Sequence, residues 1–480
     1  MKNTKLIALL LKLNKEEMSA LKSFLQSPYF NHSKRVIELF NVLFNEYPIF
    51  QETKIEKSKI FKKIFGYKPY NEALLRNIVS DLFSLCEQFI ASEMIKKDTI
   101  IKTDLVNKFY SEKELFTLSE KIINESRKEL TKVKHQDSDY FFWNFKMFQN
   151  SFSNEFNLKY RGNLNKLYKK VDLEKLIFSL DDYYLSELGI LIGELRNSYV
   201  AHGMQINSER YIKRISFFLE EENLLNPVVA FRLKHCKMLL TENESMYAEV
   251  KQEFLKLSKF MDTGSKLSTI VELNGFASSK AWKGDKFFLN EIDEIVLIRE
   301  KKNLILDENN KINPIAFWNF CNSKIRKSGK KEALAFINKY KKYLPESSAE
   351  ETVEMVYAAL AMHEKRFEQA IAILIKINKP FFSSEISLRR MMLKCYFETK
   401  QWRLLLNYLE NTKKFIQNNT GKITPLMLDS LKKYCDLLNH MYRYTEQSDV
   451  KSKIKLLEIL EEKRFPYEEA WIKSKLEQAF

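Results

Sequence analysis

Apolar residues recur at alternating spacings of three and four positions in several stretches, and this pattern constrains the fold more than any other feature. Residues so spaced lie on one face of an α-helix, because the helix turns about once every 3.6 residues. We therefore predict amphipathic helices, each with one buried face. The stripes are Leu75, Ile78, Leu82, Leu85 and Phe89; Phe141, Phe145, Phe148, Phe152 and Phe156; Leu185, Leu188, Ile192, Leu195 and Tyr199; and Leu428, Leu431, Cys435, Leu438 and Tyr442.

Glycine and proline are scarce, which argues against folds that depend on many tight turns. The 480 residues include only 10 glycines and 9 prolines, whereas sheets and phosphate-binding loops draw on these residues for their turns. The chain is also longer than a domain with one compact hydrophobic core usually is, unless that core continues from repeat to repeat along an array. We expect an all-α protein built as such an array.

The first hundred residues carry start signals for several short helices. Asn14 with Glu17, and Thr53 with Glu56, have the spacing of a capping box, in which two side chains satisfy free amides at a helix start. We predict a short-helix bundle over residues 1–97 that caps the array. Its excess of basic residues leaves a helix-turn-helix DNA reader open as an alternative for this segment.

A repeat runs through the C-terminal half. Ala358 and Ala361 fall in one predicted helix and Ala370 in the next, and this stretch resembles a tetratricopeptide repeat, in which small residues let paired helices pack closely. Ser348 with Glu351 has capping-box spacing at its start. Shifts of 35 residues forward and 37 backward bring further residues into the same register, namely Leu393, Tyr396, Trp402, Leu405 and Leu409, and Cys321, Ala333 and Ile337.

These observations divide the chain into four segments. An N-terminal bundle, a degenerate paired-helix array, tetratricopeptide-like repeats and C-terminal capping helices follow one another along the sequence. We place them at residues 1–97, 98–300, 301–445 and 446–480. The predicted architecture is an all-α, tetratricopeptide-like helical-repeat solenoid with an N-terminal short-helix bundle.

Three pieces of the sequence resemble a large family of helical proteins from Bacteroidota. They are FLQSPYFN at residues 24–31, KIFKKIFGYKPYNEALLRNIVSDL at 59–82 and LDDYYL at 180–185. The resemblance implies a helical-repeat architecture with an N-terminal SPYFN bundle, and a bacterial, cytosolic origin. It brings with it no catalytic residue, substrate or partner.

Cysteine usage and the N-terminal sequence indicate a cytoplasmic protein. The five cysteines are never spaced as C-x-x-C, so they predict neither a disulfide framework nor a zinc site. The apolar run from Leu6 to Leu11 is too short to span a membrane, and Lys12 interrupts it, so we interpret it as the first helix of the fold. We expect no cofactor, no metal and no contact with a membrane.

Half of the net charge of +16 lies in the window 299–342, where basic residues exceed acidic ones by eight. The candidate binding site in this window is the cluster Lys324, Arg326, Lys327, Lys330 and Lys331. It supports the alternative that the protein is a nucleic-acid-binding regulator. However, 63 of the 79 basic residues are lysine, whereas bidentate recognition of phosphates and bases favours arginine. The other interpretation is a solvated, lysine-rich surface.

The stretch ELRNSYVAHG at residues 194–203 resembles the R-N-x4-H motif of HEPN ribonucleases. An imidazole can transfer protons and a guanidinium can hold the phosphate, so His202 and Arg196 would take those roles while Asn197 orients them. On an unbroken helix, however, positions six apart point about 120° away from each other. A histidine just before Gly203 also fits a helix end. The ribonuclease interpretation therefore requires the helix to end before His202.

The remaining motifs favour a structural or binding protein over an enzyme. Gly189 and Gly193, spaced as G-x-x-x-G, predict close helix packing. No H-E-x-x-H, G-x-S-x-G or dinucleotide motif occurs in the sequence. We predict a non-catalytic scaffold or adaptor that holds a protein or peptide on a helical-repeat surface. The alternatives are the nucleic-acid-binding regulator and, third, the ribonuclease.

Overall fold

The computed structural model of the chain describes residues 1–159, 172–202, 207–282, 285–377, 382–423, 425–461, 465 and 468–478. Over these residues the fold consists of α-helices and short 3-10 helices without a β-strand, which confirms the all-α prediction. The chain forms two compact units. The first contains Met1–Lys132 and Gln149–Lys170, and the second contains Val133–Phe148 and Val171–Phe480.

The first unit is a bundle of short helices around one long helix. Its helices are α1 (Lys5–Leu10), α2 (Lys15–Gln26), α3 (Lys34–Phe44), α4 (Lys57–Phe65), α5 (Glu72–Lys97), α6 (Thr99–Glu112), α7 (Phe116–Leu130) and, from residue 149 onward, α8 (Ser138–Lys159). The predicted stripe of α5 is buried along its whole length. Helices α1 to α4 all pack against α5, so its apolar face forms the centre of the bundle.

Only one of the three predicted capping boxes is present. Asn14 accepts a hydrogen bond from the Glu17 N–H at 2.9 Å, and its own N–H donates to the Glu17 carboxylate at 3.0 Å. The prediction at Thr53 is wrong because α4 begins four residues after it. The prediction at Ser348 is wrong because this hydroxyl donates to the Pro345 carbonyl at 3.4 Å and caps no helix amide.

The FLQSPYFN segment closes the C-terminal end of α2. Asn31 is buried, its Nδ2 donates to the Leu25 carbonyl at 2.9 Å, and its Oδ1 accepts from the Ser33 N–H at 2.9 Å. Phe30 stacks on Phe24 with ring centroids 4.2 Å apart. Because these bonds satisfy backbone groups that the end of α2 leaves free, the segment has a structural role.

The second unit is a long series of helices that pack against close neighbours in sequence. They are α9 (Leu173–His202), α10 (Ser208–Leu219), α11 (Pro227–Thr241), α12 (Tyr247–Leu257), α13 (Thr263–Trp282), α14 (Lys286–Lys301), α15 (Pro314–Lys327), α16 (Lys330–Tyr340), α17 (Ala349–His363), α18 (Phe367–Leu374), α19 (Phe382–Glu398), α20 (Trp402–Asn418), α21 (Pro425–Gln447), α22 (Val450–Glu461) and α23 (Glu469–Gln478). The predicted segment boundaries at 300 and 445 fall in the last turns of α14 and α21.

The three other predicted stripes, in α8, α9 and α21, differ in how deeply they are buried. Four of the five stripe residues of α21 are buried. In α9, Leu185 and Ile192 are buried, while the side chain of Tyr199 lies outside the described residues. In α8 only Phe141 is fully buried, and the other four phenylalanines of its stripe are half-buried. The aromatic stripe of α8 is therefore only partly a core stripe.

Three helix pairs of the second unit share the same turn. One hydrogen bond closes each turn: Gly329 N–H to the Lys324 carbonyl at 3.0 Å in α15–α16, Arg366 N–H to the Ala361 carbonyl at 2.8 Å in α17–α18, and Gln401 N–H to the Tyr396 carbonyl at 3.0 Å in α19–α20. The bonds recur at the shifts of 37 and 35 residues that relate the sequences. A residue with positive φ lies at each turn, namely Gly329, Lys365 and Lys400, as is common where one helix ends.

The pairs also share their packing. Most residues aligned by the repeat are buried, while Trp402 and its counterpart Phe367 are half-buried. The buried ones are Cys321, Ala333, Ile337, Ala358, Ala361, Ala370, Leu374, Leu393, Tyr396, Leu405 and Leu409. Each first helix, α15, α17 or α19, packs against its own second helix, and the first helices also pack against one another in order. The three pairs therefore stack as a row with continuous apolar contacts.

Candidate functional site

The R-N-x4-H motif lies on an unbroken helix. Because α9 continues through His202, positions 196 and 202 lie about 120° apart around the helix axis. The side chain of His202, and Gly203 as a whole, lie outside the described residues. The condition that the ribonuclease interpretation requires, a helix that ends before His202, is not met.

Arg196 and Asn197 belong instead to a buried polar cluster between α9, α11 and α13. Asn197 Nδ2 donates to Glu272 Oε1 at 3.0 Å. The other carboxylate oxygen of Glu272 lies 3.7 Å from Nδ1 of His235. Arg196 acts on Glu272 through the attraction of opposite charges. We call Arg196, Asn197, His235 and Glu272 the Glu272 cluster.

Burial sets the protonation of this cluster. Burial and then the charges of Arg196 and Arg232 lower the pKa of His235 to about 3, so its imidazole is neutral near pH 7. Burial raises the pKa of Glu272, while Asn197 and Arg196 oppose that shift. Burial also lowers the pKa of Arg196. Because desolvation favours the uncharged form of each group, the cluster is a poor place for acid–base chemistry in water.

The surroundings of His235 also exclude a reactive role for it. The residue is only 4% exposed, and its Nε2 has no hydrogen-bond partner among the described residues. A substrate in solution therefore has no access to the ring. The cluster can join three helices through polar contacts, but its histidine cannot exchange protons with a bound substrate.

Gly189 allows α9 and α11 to approach closely. A Cβ at this position would lie 2.8 Å from Cγ of Arg232, too near for an ordinary contact. The Arg232 guanidinium donates to Ser186 Oγ at 2.6 Å on the same side of α9. At Gly193 a Cβ would find only an ordinary contact, 3.8 Å from Glu272. The close packing predicted for the G-x-x-x-G pair therefore holds at the first glycine alone.

Sequence reasoning missed His235 and Glu272. Both lie in helical stretches that are rich in apolar residues, PVVAFRLKHCKMLL and TIVELNGFA. Such stretches tend to be buried, and a buried polar side chain needs a partner. This signal could have indicated that the two residues meet other polar groups, although not which ones.

The basic cluster of window 299–342 is largely paired within the protein. Its ion pairs are Lys324 with Glu300 at 2.6 Å, Arg326 with Asp293 at 2.6 Å, Lys327 with Asp293 at 3.7 Å and Lys330 with Glu364 at 2.7 Å. Asp293 is buried and also accepts from Ser323 Oγ at 2.7 Å. Lys331 is exposed. These pairs reduce the positive charge that the cluster presents to a phosphate, and its binding role stays a prediction.

One open pocket lies in the first unit, beside the FLQSPYFN turn. It has a volume of about 390 Å³, and its lining includes His32, Ser33, Asp81 and Ser84. Small-molecule sites are usually concave and mostly apolar, with a few convergent polar groups. Val36 and Leu85 line the pocket beside these polar groups, but the pocket is wide open, so it does not fit that description and we name no ligand for it.

Two kinds of feature were sought in the part of the chain that the structure describes, namely groups of metal-ligating side chains and helices that could cross a membrane. No three His, Cys, Asp or Glu side chains are grouped there so that they could hold a metal ion, and no helix there has the length and apolar composition to cross a bilayer. The five cysteines are buried and free, and burial raises the pKa of Cys236 to about 12. No family model, curated protein or solved structure matches the chain.

Proposed function

We propose that the protein is a non-catalytic scaffold or adaptor whose second unit is a tetratricopeptide-like solenoid that holds a protein or peptide partner. The repeated turn carries the proposal: one hydrogen bond recurs at shifts of 37 and 35 residues between helices whose facing residues are small or apolar. Stacked helix pairs present an extended surface on which a peptide or a helix can lie.

The chemistry of the described residues supports a binding role over a catalytic one. The only catalytic motif that the sequence suggested has Arg196 and Asn197 in a buried cluster with Glu272. Buried, free cysteines also support a cytoplasmic location. We also propose kinship with the helical Bacteroidota family, on the resemblance of the three sequence pieces at residues 24–31, 59–82 and 180–185.

Two other functions are weaker. A nucleic-acid-binding regulator would use window 299–342, but Lys324, Arg326, Lys327 and Lys330 already pair with acidic side chains. A ribonuclease acting through Arg196 and His202 would need a break in α9 that is not there. Both would bind nucleic acid with an affinity that falls steeply with salt.

The test is an affinity purification of the intact protein from the lysate of its native host, with and without nuclease. We expect a protein partner in stoichiometric amount that survives nuclease treatment. Recovery of nucleic acid, with all proteins lost after nuclease, would contradict the scaffold and favour the regulator. A matched bait carrying Lys330→Ala and Lys331→Ala shows whether any nucleic acid depends on the basic cluster.

A further inference from the structure

Ion pairs join the start of the C-terminal helix α23 to α14 and α19, two helices that are not neighbours in the series. Glu469 pairs with Lys286 of α14 at 3.1 Å, and the preceding Glu468 pairs with Lys394 of α19 at 2.5 Å. Helices α14, α15, α17 and α19 pack in that order, so α15 and α17 separate the two anchoring helices. Glu468 and the first turn of α23 therefore link two helices, α14 and α19, that α15 and α17 separate.

The contacts between α23 and α19 are specific in their chemistry. Trp471 donates from its indole N–H to the Glu398 carboxylate, and Lys475 pairs with the other oxygen of that carboxylate at 2.9 Å. The Lys394 ammonium lies 4.4 Å from the centre of the indole ring, and Phe397 packs edge-on against it with centroids 5.6 Å apart. We call Lys394, Phe397 and Glu398 the α19 surface.

Several features of α23 make it easier to detach than the helices of the repeat. It has ten residues, and helices so short are marginal in water without tertiary contacts. Its fully buried apolar side chains are few, chiefly Ile472 and Leu476. The ion pair of Glu469 with Lys286 is exposed on its lysine side, and such pairs add little stability. Local opening of α23 therefore costs less than unfolding of the unit.

Detachment would expose the polar groups of the α19 surface to water. Glu398 is 11% exposed with α23 in place, and its carboxylate would then exchange the Trp471 indole N–H and the Lys475 ammonium for water. Lys394 would lose both its carboxylate and its aromatic neighbour. A ligand that supplies these groups in the same order would be favoured, and one that lacks them would be rejected.

We propose that α23 is an exchangeable occupant of the α19 surface, and that a partner protein displaces it with a helix of the same chemistry. That helix carries two adjacent carboxylates in its first turn, a tryptophan two residues after the second carboxylate, and a lysine one turn later. The inference rests on the proposed scaffold function and specifies the kind of partner. In the absence of the partner, α23 holds the surface closed.

The experiment uses the full chain and a fluorescent peptide of residues 465–480, with binding measured by anisotropy. The variant Glu468→Lys sets two positive charges against each other at Lys394 and so weakens the internal helix. We expect it to bind the peptide at least tenfold more tightly than the wild type, because a tethered competitor acts at about millimolar effective concentration. Glu477→Lys, the same charge change at an exposed position of α23, is expected to bind like the wild type.

A charge swap tests the surface itself. The double variant Lys394→Glu, Glu468→Lys is expected to lose its affinity for the wild-type peptide. The single variant Lys394→Glu is expected to bind a peptide that carries the Glu468→Lys change with most of the original affinity. Thermal melts by circular dichroism check that each variant folds. Glu468→Gln, which removes the charge without reversing it, is the milder second variant and should fall between wild type and Glu468→Lys.

Equal peptide affinity for wild type and Glu468→Lys would overturn the proposal. A dimer of Glu468→Lys on gel filtration without peptide binding would also overturn it, because α23 would then exchange between copies. The affinity purification separates the two claims. A protein partner held equally by wild type, Glu468→Lys and Lys394→Glu would leave the scaffold in place and remove the α19 surface as its site.

Discussion

Arg196 and Asn197 of the Glu272 cluster and the side chains of the basic cluster of window 299–342 stand out in the sequence as groups available for chemistry, and most of them are paired within the protein. The two clusters differ in depth. His235 is 4% exposed, whereas the side chain of Lys330 is 49% exposed. Burial determines how much each cluster contributes to stability. Removing one partner of a buried polar contact costs several kcal/mol, whereas an exposed ion pair is worth about 1 kcal/mol or less.

The largest loss of stability should follow from removing the carboxylate of Glu272, which the other members of the Glu272 cluster share. Glu272→Ala removes the acceptor of Asn197 and the countercharge of Arg196, so we expect the free energy of unfolding to fall by about 3 kcal/mol. Urea denaturation followed by circular dichroism measures the change. The matched control Glu272→Gln keeps an oxygen for Asn197 and should stay within about 1 kcal/mol of the wild type. Equal damage from both would mean that the charge, and not the hydrogen bond, holds the helices.

Removing Asp293, the buried acidic partner of the basic cluster, should cause an intermediate loss of stability. Asp293→Ala leaves the Ser323 hydroxyl and the Arg326 guanidinium without their acceptor, so we expect a loss of about 2 kcal/mol. Asp293→Asn, which can still accept from Ser323, should lose about half as much. The same urea titration reports both. A loss below that of an exposed ion pair would show that Asp293 is not the anchor between α14 and α15.

The sequence indicates helices and repeats more directly than it indicates these polar contacts. Periodic spacing shows which residues face inward, so the stripe of α5 and the aligned alanines of α17 and α18 could be predicted. The partners of Arg196 and Asn197 could not, because Glu272 lies 75 residues from Asn197 along the chain. The pairing of Lys324 with Glu300 likewise depends on how α14 packs on α15.

Local capping shows the same limit on a smaller scale. The spacing of Asn14 and Glu17 predicts a box that forms, yet the same spacing fails at Thr53 and Ser348. At Ser348 a nearby carbonyl competes for the hydroxyl. A capping motif indicates which hydrogen bonds a side chain could form, and the conformation of the surrounding turn determines which backbone group it bonds to.

Asp182 is half-buried and should make the stability of the fold depend on pH. Burial raises its pKa to about 6, the charge of Asp181 adds to the shift, and the Asn226 N–H opposes it. A carboxyl with a raised pKa stabilises the fold fully at pH values below its unfolded pKa, and this contribution is lost as the pH rises through about 6.

Asp182→Asn should therefore gain stability relative to the wild type as the pH rises. Between pH 4 and pH 8 we expect a relative gain of about 1 kcal/mol, after allowance for solvent screening at a half-buried site. Urea denaturation at the two pH values measures it. Asp429→Asn, at an exposed position paired with Lys433, should show no such gain. A difference that is constant with pH would mean that the Asp182 carboxyl does not titrate in this range.

The smallest effect should come from an ion pair of the basic cluster. A double-mutant cycle with Lys324→Ala and Glu300→Ala isolates the interaction between two half-buried side chains, 16% and 29% exposed, whose charged atoms lie 2.6 Å apart. We expect a coupling below about 1 kcal/mol at low salt, and its loss at 1 M salt, where the Debye length is about 3 Å. The cycle at Asn197 and Glu272 should by contrast keep its coupling at high salt, because the Asn197 amide carries no charge for salt to screen. If both couplings respond to salt alike, the contact of Asn197 with Glu272 depends on charge as much as the pair of Lys324 with Glu300 does.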